Sequence, residues 1–265
     1  MKLKKIFLPK FKTSLIRVGR NNDGGYCIAE KSILNTNILY SFGLSDDCSF
    51  EKDFYKRKPK TKIIVYDRSV NLIFWVKGII KTCILVLFFK KNFSSIFKYL
   101  KCFFDYIFFF KIKEVTHIKK NIIQRKHLAK NDDEKFLVNL DQVLLSNGGE
   151  KFFLKIDIEG NEYRILDDIV KHQKNLEGLV IEFHNTDLME NKIENFMKNI
   201  NLDLVHIHVN NFGDINHEGY ATVFEATFSP RKYNLPRDES DIIFPVKDLD
   251  QPNDKNNIDE KVFFN

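Results

Sequence analysis

Short apolar runs that stop at an acid, a glycine or a histidine, each followed by helical spacing, constrain this chain more than any other feature. "NILYSFGL" (37–44) runs out at Gly43 and Leu44, and "TKIIVYD" (61–67) ends at Asp67. "KFFLKIDIEG" (151–160), "EGLVIEFH" (177–184), "LDLVHIHVNN" (202–211) and "ATVFEATFS" (221–229) follow. Runs of this length, separated by patterns such as "NEYRILDDIVKH", predict strands of a mostly parallel α/β sheet with helices on its faces. The last two runs lie close together in sequence and predict an antiparallel edge strand. The tail beyond Pro236 is polar and reads as irregular.

Composition narrows the class. A chain of 265 residues with 43% hydrophobic content is long enough for a real core. A formal net charge of +6 is a mild basic excess, spread along the chain, with no zinc-finger or RNP-like pattern, so nucleic acid is not an expected partner. Cys27, Cys48, Cys83 and Cys102 show neither CxxC spacing nor dense pairing, which points to a reducing cytoplasm. The start "MKLKKIFLPKFK" has a basic flank, but its apolar stretch is too short for a signal peptide.

One segment departs from the alternation. Residues 72–110, "LIFWVKGIIKTCILVLFFKKNFSSIFKYLKCFFDYIFFF", are far too apolar for a connection. Lys77 and Lys81 make the first half a poor membrane span. Lys91, Ser94, Ser95, Lys98, Lys101 and Asp105 put a narrow polar stripe on an otherwise apolar helix. The expectation is a helical insertion, 72–130, within a single domain of residues 1–265. It would pack on the core, form a homo-oligomer contact, or lie against a membrane surface with its lysines toward headgroups.

In an open α/β sheet, ligands sit beyond the carboxyl ends of the strands. Gly43 would let a ligand approach the backbone there, next to free N–H groups of a helix start that includes Asp47, Ser49 and Glu51. An acid just past the second strand, Asp67, stands where Rossmann-like folds hold ribose hydroxyls. Lys155, Asp157 and Glu159 recur with a period of two, which predicts one shared face at the third strand's end. Glu182 and His184 share a face, as do His206 and His208. Asp157, His184 and His208 are therefore the candidate catalytic group, either a general base with its orienting acid or ligands of a divalent cation. Asn22-Asp23-Gly24-Gly25 is a strong turn signal. As a plain hairpin that run needs no function; Glu182, Asn210 and Asn211 are candidate substrate contacts around the same rim.

"LKIDIEGNEYRIL" resembles the K-I-D-x-E-G-x-E hallmark of the FkbM-type S-adenosylmethionine-dependent methyltransferases. "RNNDGGYCI", "YSFGLSDDCSFE" and "VIEFH" resemble a related branch of that family, in the same order along the chain. The resemblance covers about 17–67 and 135–228. It implies a Rossmann-like methyltransferase fold and methyl transfer from S-adenosylmethionine, commonly to a hydroxyl. It also implies that Gly43 and the loop through Glu51 border the methionine end of the cofactor, that Asp67 takes the ribose, and that the Asn22-Asp23-Gly24-Gly25-Tyr26 run is a lip over the cofactor or acceptor, with Asp23 and Tyr26 as candidate substrate contacts. The acceptor expected on this basis is a sugar or sugar nucleotide, as in capsule or other polysaccharide biosynthesis. Two rivals belong to other classes: a metal-dependent hydrolase using Asp157, Glu182, His184 and His208, and a non-catalytic membrane-associated scaffold working through 72–110.

Overall fold

The computed structural model describes residues 1–123, 137–238 and 243–265. Past two-residue strands at Lys2–Leu3 and Phe11–Lys12, an antiparallel hairpin pairs β1 (Leu15–Val18) with β2 (Tyr26–Ala29), followed by the short helix α1 (Glu30–Asn35). The main sheet is built from β3 (Ile38–Phe42), β4 (Lys62–Tyr66), β5 (Val115–Ile118), β6 (Phe152–Ile156), β7 (Leu176–Phe183), β8 (Leu202–Val209) and β9 (Phe224–Pro230). Its spatial order is β5-β4-β3-β6-β7-β9-β8. Counted along the chain this is 3-2-1-4-5-7-6. It is the doubly wound order 3-2-1-4-5-6 with a seventh strand wedged between the fifth and the sixth. The first five strands pair in parallel, while β9 runs antiparallel to both β7 and β8. The last two strands thus form the expected antiparallel edge, with β8 outermost.

The strands form where the apolar runs predicted them because both faces are covered. Every residue of β6, β7, β8 and β9 is buried. One core face gathers Phe42, Leu154, Ile156, Ile181, Phe183 and Phe224, and the other gathers Leu39, Phe54, Ile63, Val65, Phe153 and Val180. The helix α2 (Ser49–Arg57) lies on the second face, burying Phe50 and Phe54. The helices α5 (Leu140–Leu145), α6 (Leu166–His172) and α7 (Thr186–Asn199) complete the described helices.

The apolar segment is a two-helix hairpin, α3 (Leu72–Leu87) and α4 (Ser94–Phe109), in the crossover between β4 and β5. Helix therefore stops at Phe109, and Val115–Ile118 enters the sheet as a strand; residues 124–130 lie outside the described residues. Asn71 caps α3 by accepting from Phe74 N at 3.0 Å. Trp75 is the anchor, 2% exposed, with the rings of Phe74, Tyr99, Phe103 and Tyr106 at 5.4–5.6 Å. Gly78 lets the helices meet, since a Cβ there would lie 1.8 Å from the Tyr99 hydroxyl.

Removing the anchor should free the hairpin without dissolving the sheet. Trp75→Ala is expected to cost about 3–5 kcal/mol of unfolding free energy, the usual loss for a large buried ring. Urea titration followed by far-UV circular dichroism measures it.

Candidate active site

The topological switch point lies between β3 and β6, where successive crossovers diverge. Two loops touch there. Gly43 has φ +86°, and a Cβ on it would lie 1.7 Å from the carbonyl oxygen of Asp157. No other residue fits that contact. The Lys155 ammonium spans the same gap, donating to the Gly43 carbonyl at 2.7 Å. It also lies 3.7 Å from an Asp157 carboxylate oxygen and 5.4 Å from the centre of the Tyr26 ring. Below it, Ser41 donates to Glu51 Oε1 at 2.5 Å. The second oxygen of Glu51 is buried with no hydrogen-bond partner. Burial raises the Glu51 carboxyl above its ordinary range, and the nearby Lys155 charge partly opposes that.

Beyond this, the sheet register aligns one row. Glu182 faces Glu225 across β7 and β9, and Glu225 faces His208 across β9 and β8. Ile156 is paired with Ile181, so Asp157 follows its strand at the level of Glu182. Tyr26, delivered by the hairpin, links two of these carboxylates: its hydroxyl is 3.0 Å from Asp157 and 3.5 Å from Glu182. Asn210 donates to Glu182 at 2.6 Å. Burial and the neighbouring charges of Asp157 and Glu225 hold the Glu182 carboxyl well above its ordinary range.

The expected shared face of Lys155, Asp157 and Glu159 is not a strand face. The strand ends at Ile156, and Glu159 sits exposed in a left-handed turn at φ +52°. That turn brings its carboxylate to 3.4 Å from His184 Nε2. His184 Nδ1 is hydrogen-bonded to Glu162, which is fully buried at the start of a 3-10 turn. His184 Nε2 lies 3.8 Å from Glu182. Burial alone would lower this imidazole. The hydrogen bond and charge of Glu162, with the charges of Glu182 and Asp157, outweigh it and push His184 up to about 9. Oxygen atoms of Asp157 and Glu159 and a ring nitrogen of His184 lie within 4.8 Å of one another.

His208 is in the same row but has other partners. Its ring nitrogens face Glu225 at 3.6 Å and Asp259 at 3.0 Å, not Asp157 or His184. Burial would lower it, but Asp259 and Glu225 together push it up to about 10. Its neighbour His206 belongs to a separate clasp. Asp250 is 3.0 Å from His206 Nε2 and accepts from the Cys27 thiol at 3.2 Å. Burial and Asp250 hold that thiol far above its ordinary range, so it acts as a hydrogen-bond donor fastening the tail to the β1–β2 hairpin. Asn211 does similar work, binding the backbone of Asp254 in both directions.

The expected cofactor residues divide. Asp67 is buried, and all of its acceptor capacity is in use. One oxygen takes Leu44 N at 2.8 Å and Ser45 N at 3.2 Å, and the other takes the Ser69 amide and hydroxyl at 2.6 Å each. A carboxylate offers about four lone-pair sites, so none is left for a ribose diol. Burial would raise its carboxyl, but these bonds from Ser69, Leu44 and Ser45 hold it below the ordinary value. Asp47 and Ser49 are engaged with each other at 2.6 Å and with the hairpin lip through Arg20. Asp23 lies on that lip, which Asn253 and Pro252 tie to the tail.

Sequence reading missed Glu162, Glu225, Asn253 and Asp259. Glu225 carried a signal, an acid inside the apolar "VFEATF" run. Glu162 carried one too, as the final acid of the K-I-D-x-E-G-x-E segment. The tail residues carried none.

No family model matches the sequence, and no curated protein matches it. Solved structures that the chain resembles distantly include a precorrin-6y C5,15-methyltransferase from Geobacter metallireducens GS-15. It is 12% identical over 76% of this chain and 85% of that one, with a TM-score of 0.37. They also include a methyltransferase FkbM from Methylobacillus flagellatus KT, 12% identical, with a TM-score of 0.35; the match covers 72% of this chain but 44% of that one. The two likenesses are equally distant. Neither shows membership of the FkbM family.

Two outcomes follow from this geometry. Asp67→Ala should lower unfolding free energy by about 3 kcal/mol, because charge-assisted bonds are lost and buried N–H groups are left open. Denaturant titration reads it. His208 is raised from 6.5 to about 10. Its stabilisation is complete below pH 6.5 and is lost as pH rises to about 10. Across that window stability should fall by about 1.4 kcal/mol per pH unit. Melting curves of the wild type and His208→Gln should differ in that slope.

Proposed function

We propose that this chain is an S-adenosylmethionine-dependent O-methyltransferase acting on a hydroxyl of a small polar acceptor, a sugar or sugar nucleotide. The observation that carries this reading is the row at the switch point. A histidine backed by a buried glutamate there faces carboxylates, a phenol and an amide that suit a polyhydroxylated molecule.

The fit to the cofactor is good at one end. Glu51 has a buried acceptor without a partner, Lys155 carries a cation beside it, and the Gly43 backbone is close. Such a set suits the ammonium and carboxylate of a methionine moiety. The ribose end is different, since Asp67 is filled by its own loop. Asp67 enters this proposal as the brace of the Gly43 loop, and the ribose contacts are not assigned to it. S-adenosylmethionine, when bound, supplies a methyl group already activated on sulfonium.

The protein's share is to orient the acceptor and to take up its proton. Tyr26, Glu182 and Asn210 orient hydroxyls. Glu162 fixes the His184 ring so that Nε2 faces the acceptor; because the surrounding carboxylates raise this imidazole to about 9, it is the neutral form, filled as pH rises toward that value, whose Nε2 receives the proton. Asp157, Glu159 and His184 are also the place where a divalent cation would assist the same transfer.

Calorimetry with S-adenosylhomocysteine tests the class, and absence of binding by the folded protein would remove the reading. His184→Ala should lower turnover by roughly 10²- to 10⁴-fold while S-adenosylhomocysteine affinity stays near the wild-type value. Glu162→Gln should lose part of the same rate. Activity that survives a chelator speaks for the histidine alone. Activity lost to it and restored by magnesium or manganese speaks for the cation.

A further inference from the structure

The α3–α4 hairpin turns its apolar residues outward. On α3, Ile73, Val76, Ile80, Ile84 and Leu87 are 46–75% exposed and fall on one helical stripe. On α4, Phe93, which precedes its first turn, and Phe97, Phe104 and Phe108 do the same at 50–65%. The tip is more extreme. Phe88 is 72% exposed and Phe89 is 96% exposed, held out by a left-handed backbone at φ +55°. Monomeric proteins seldom leave so continuous an apolar surface uncovered.

Charge identifies what covers it. Residues 72–113 hold eight lysines, at positions 77, 81, 90, 91, 98, 101, 111 and 113, and every one is exposed. The only acid in that span is Asp105, and Lys52 of α2 already neutralises it at 2.9 Å. Lys77 and Lys81 border the α3 stripe, and Lys98 and Lys101 border that of α4. Lys90 and Lys91 follow directly on the tip phenylalanines. The expected polar stripe on α4 thus lies along the edge of the apolar face. A second copy laid on this face would set lysine against lysine, whereas an anionic surface would meet every one favourably. Neither helix crosses a bilayer: each has 16 residues, or about 24 Å, against a hydrocarbon core of about 30 Å. No described helix is long and apolar enough to span.

We propose that the α3–α4 hairpin is a docking element for anionic lipid, lying in the headgroup layer with Phe88 and Phe89 as its leading edge. The apolar stripes enter the acyl boundary, and the bordering lysines stay at the level of the lipid phosphates. The hairpin hangs from the ends of β4 and β5, on the α2 side of the sheet. The inference stands whether or not the chain transfers methyl groups.

The test is co-sedimentation of the full chain with vesicles. Phosphatidylcholine alone is compared with phosphatidylcholine mixed with phosphatidylglycerol. Binding is expected to the mixed vesicles only and should weaken as salt is raised. K90Q/K91Q should lower the partition coefficient by roughly 25-fold, about fivefold per lysine at an anionic surface. F88S/F89S should lower it further, and because both rings are exposed the fold should survive, as circular dichroism will read. Failure of the folded wild type to bind mixed vesicles overturns the proposal. So does a stable dimer in light scattering that F88S/F89S dissociates.

Discussion

A buried ammonium organises this molecule's cleft. Lys155 is 6% exposed in the middle of a parallel sheet, where an unpaired charge would be severely costly. It is tolerated because its hydrogen-bond and charge partners come from separate elements: the Gly43 carbonyl from β3, the Asp157 carboxylate from its own strand end, and the Tyr26 ring from the hairpin. Each must be in place for the charge to be satisfied. The ammonium therefore fixes the distance between the two loops of the switch point and the height at which Tyr26 enters.

The same logic governs the carboxylates. Glu182 and Glu225 are direct neighbours across antiparallel strands, an arrangement that repels when both are charged. The structure answers with two neutral donors and one cationic partner. Asn210 donates to Glu182, and Asn253 donates to Glu225, which also faces His208. Asp259 then balances His208, and Asp250 is hydrogen-bonded to His206. A tail that looked featureless in sequence is thereby part of the charge balance of the sheet. Its polar residues are fastened to buried partners along β8, β9 and the β1–β2 hairpin.

This explains which parts were legible in the sequence. Strand positions were, because a buried strand must be apolar throughout and its end is marked where polar residues begin. That Asp157, Glu182 and His184 stand close together at one rim was legible for the same reason, as polar groups at the ends of apolar runs. Whether each points at a ligand or at the protein was not. Asp67 matched a ribose-binding position, yet its oxygens close its own loop, and only the backbone path of residues 43–45 and 69 determines that. His208 alternates correctly with its strand, but its partner Asp259 lies 51 residues away in sequence. Glu159 fitted the period of two beyond Ile156, where the strand had already ended and the turn took over.

The hairpin and the cleft meet at one histidine. Tyr106 on α4 is 2.7 Å from His117 Nδ1, and His117 Nε2 is 2.8 Å from the Asp67 carbonyl. A carbonyl can only accept, so Nε2 carries the proton and Nδ1 accepts from the tyrosine. Burial keeps this imidazole below its ordinary value, consistent with the neutral form that such bonding requires. Asp67 in turn grips Leu44 and Ser45, next to Gly43 and the Lys155 ammonium. Hydrogen bonds thus join the root of the hairpin to the switch point without a break. Continuity alone is not coupling, which needs an element with two arrangements. What this chain of bonds does is hold the root rigid, so that an exposed apolar hairpin can be loaded at its tip while the loop beside the cleft keeps its shape.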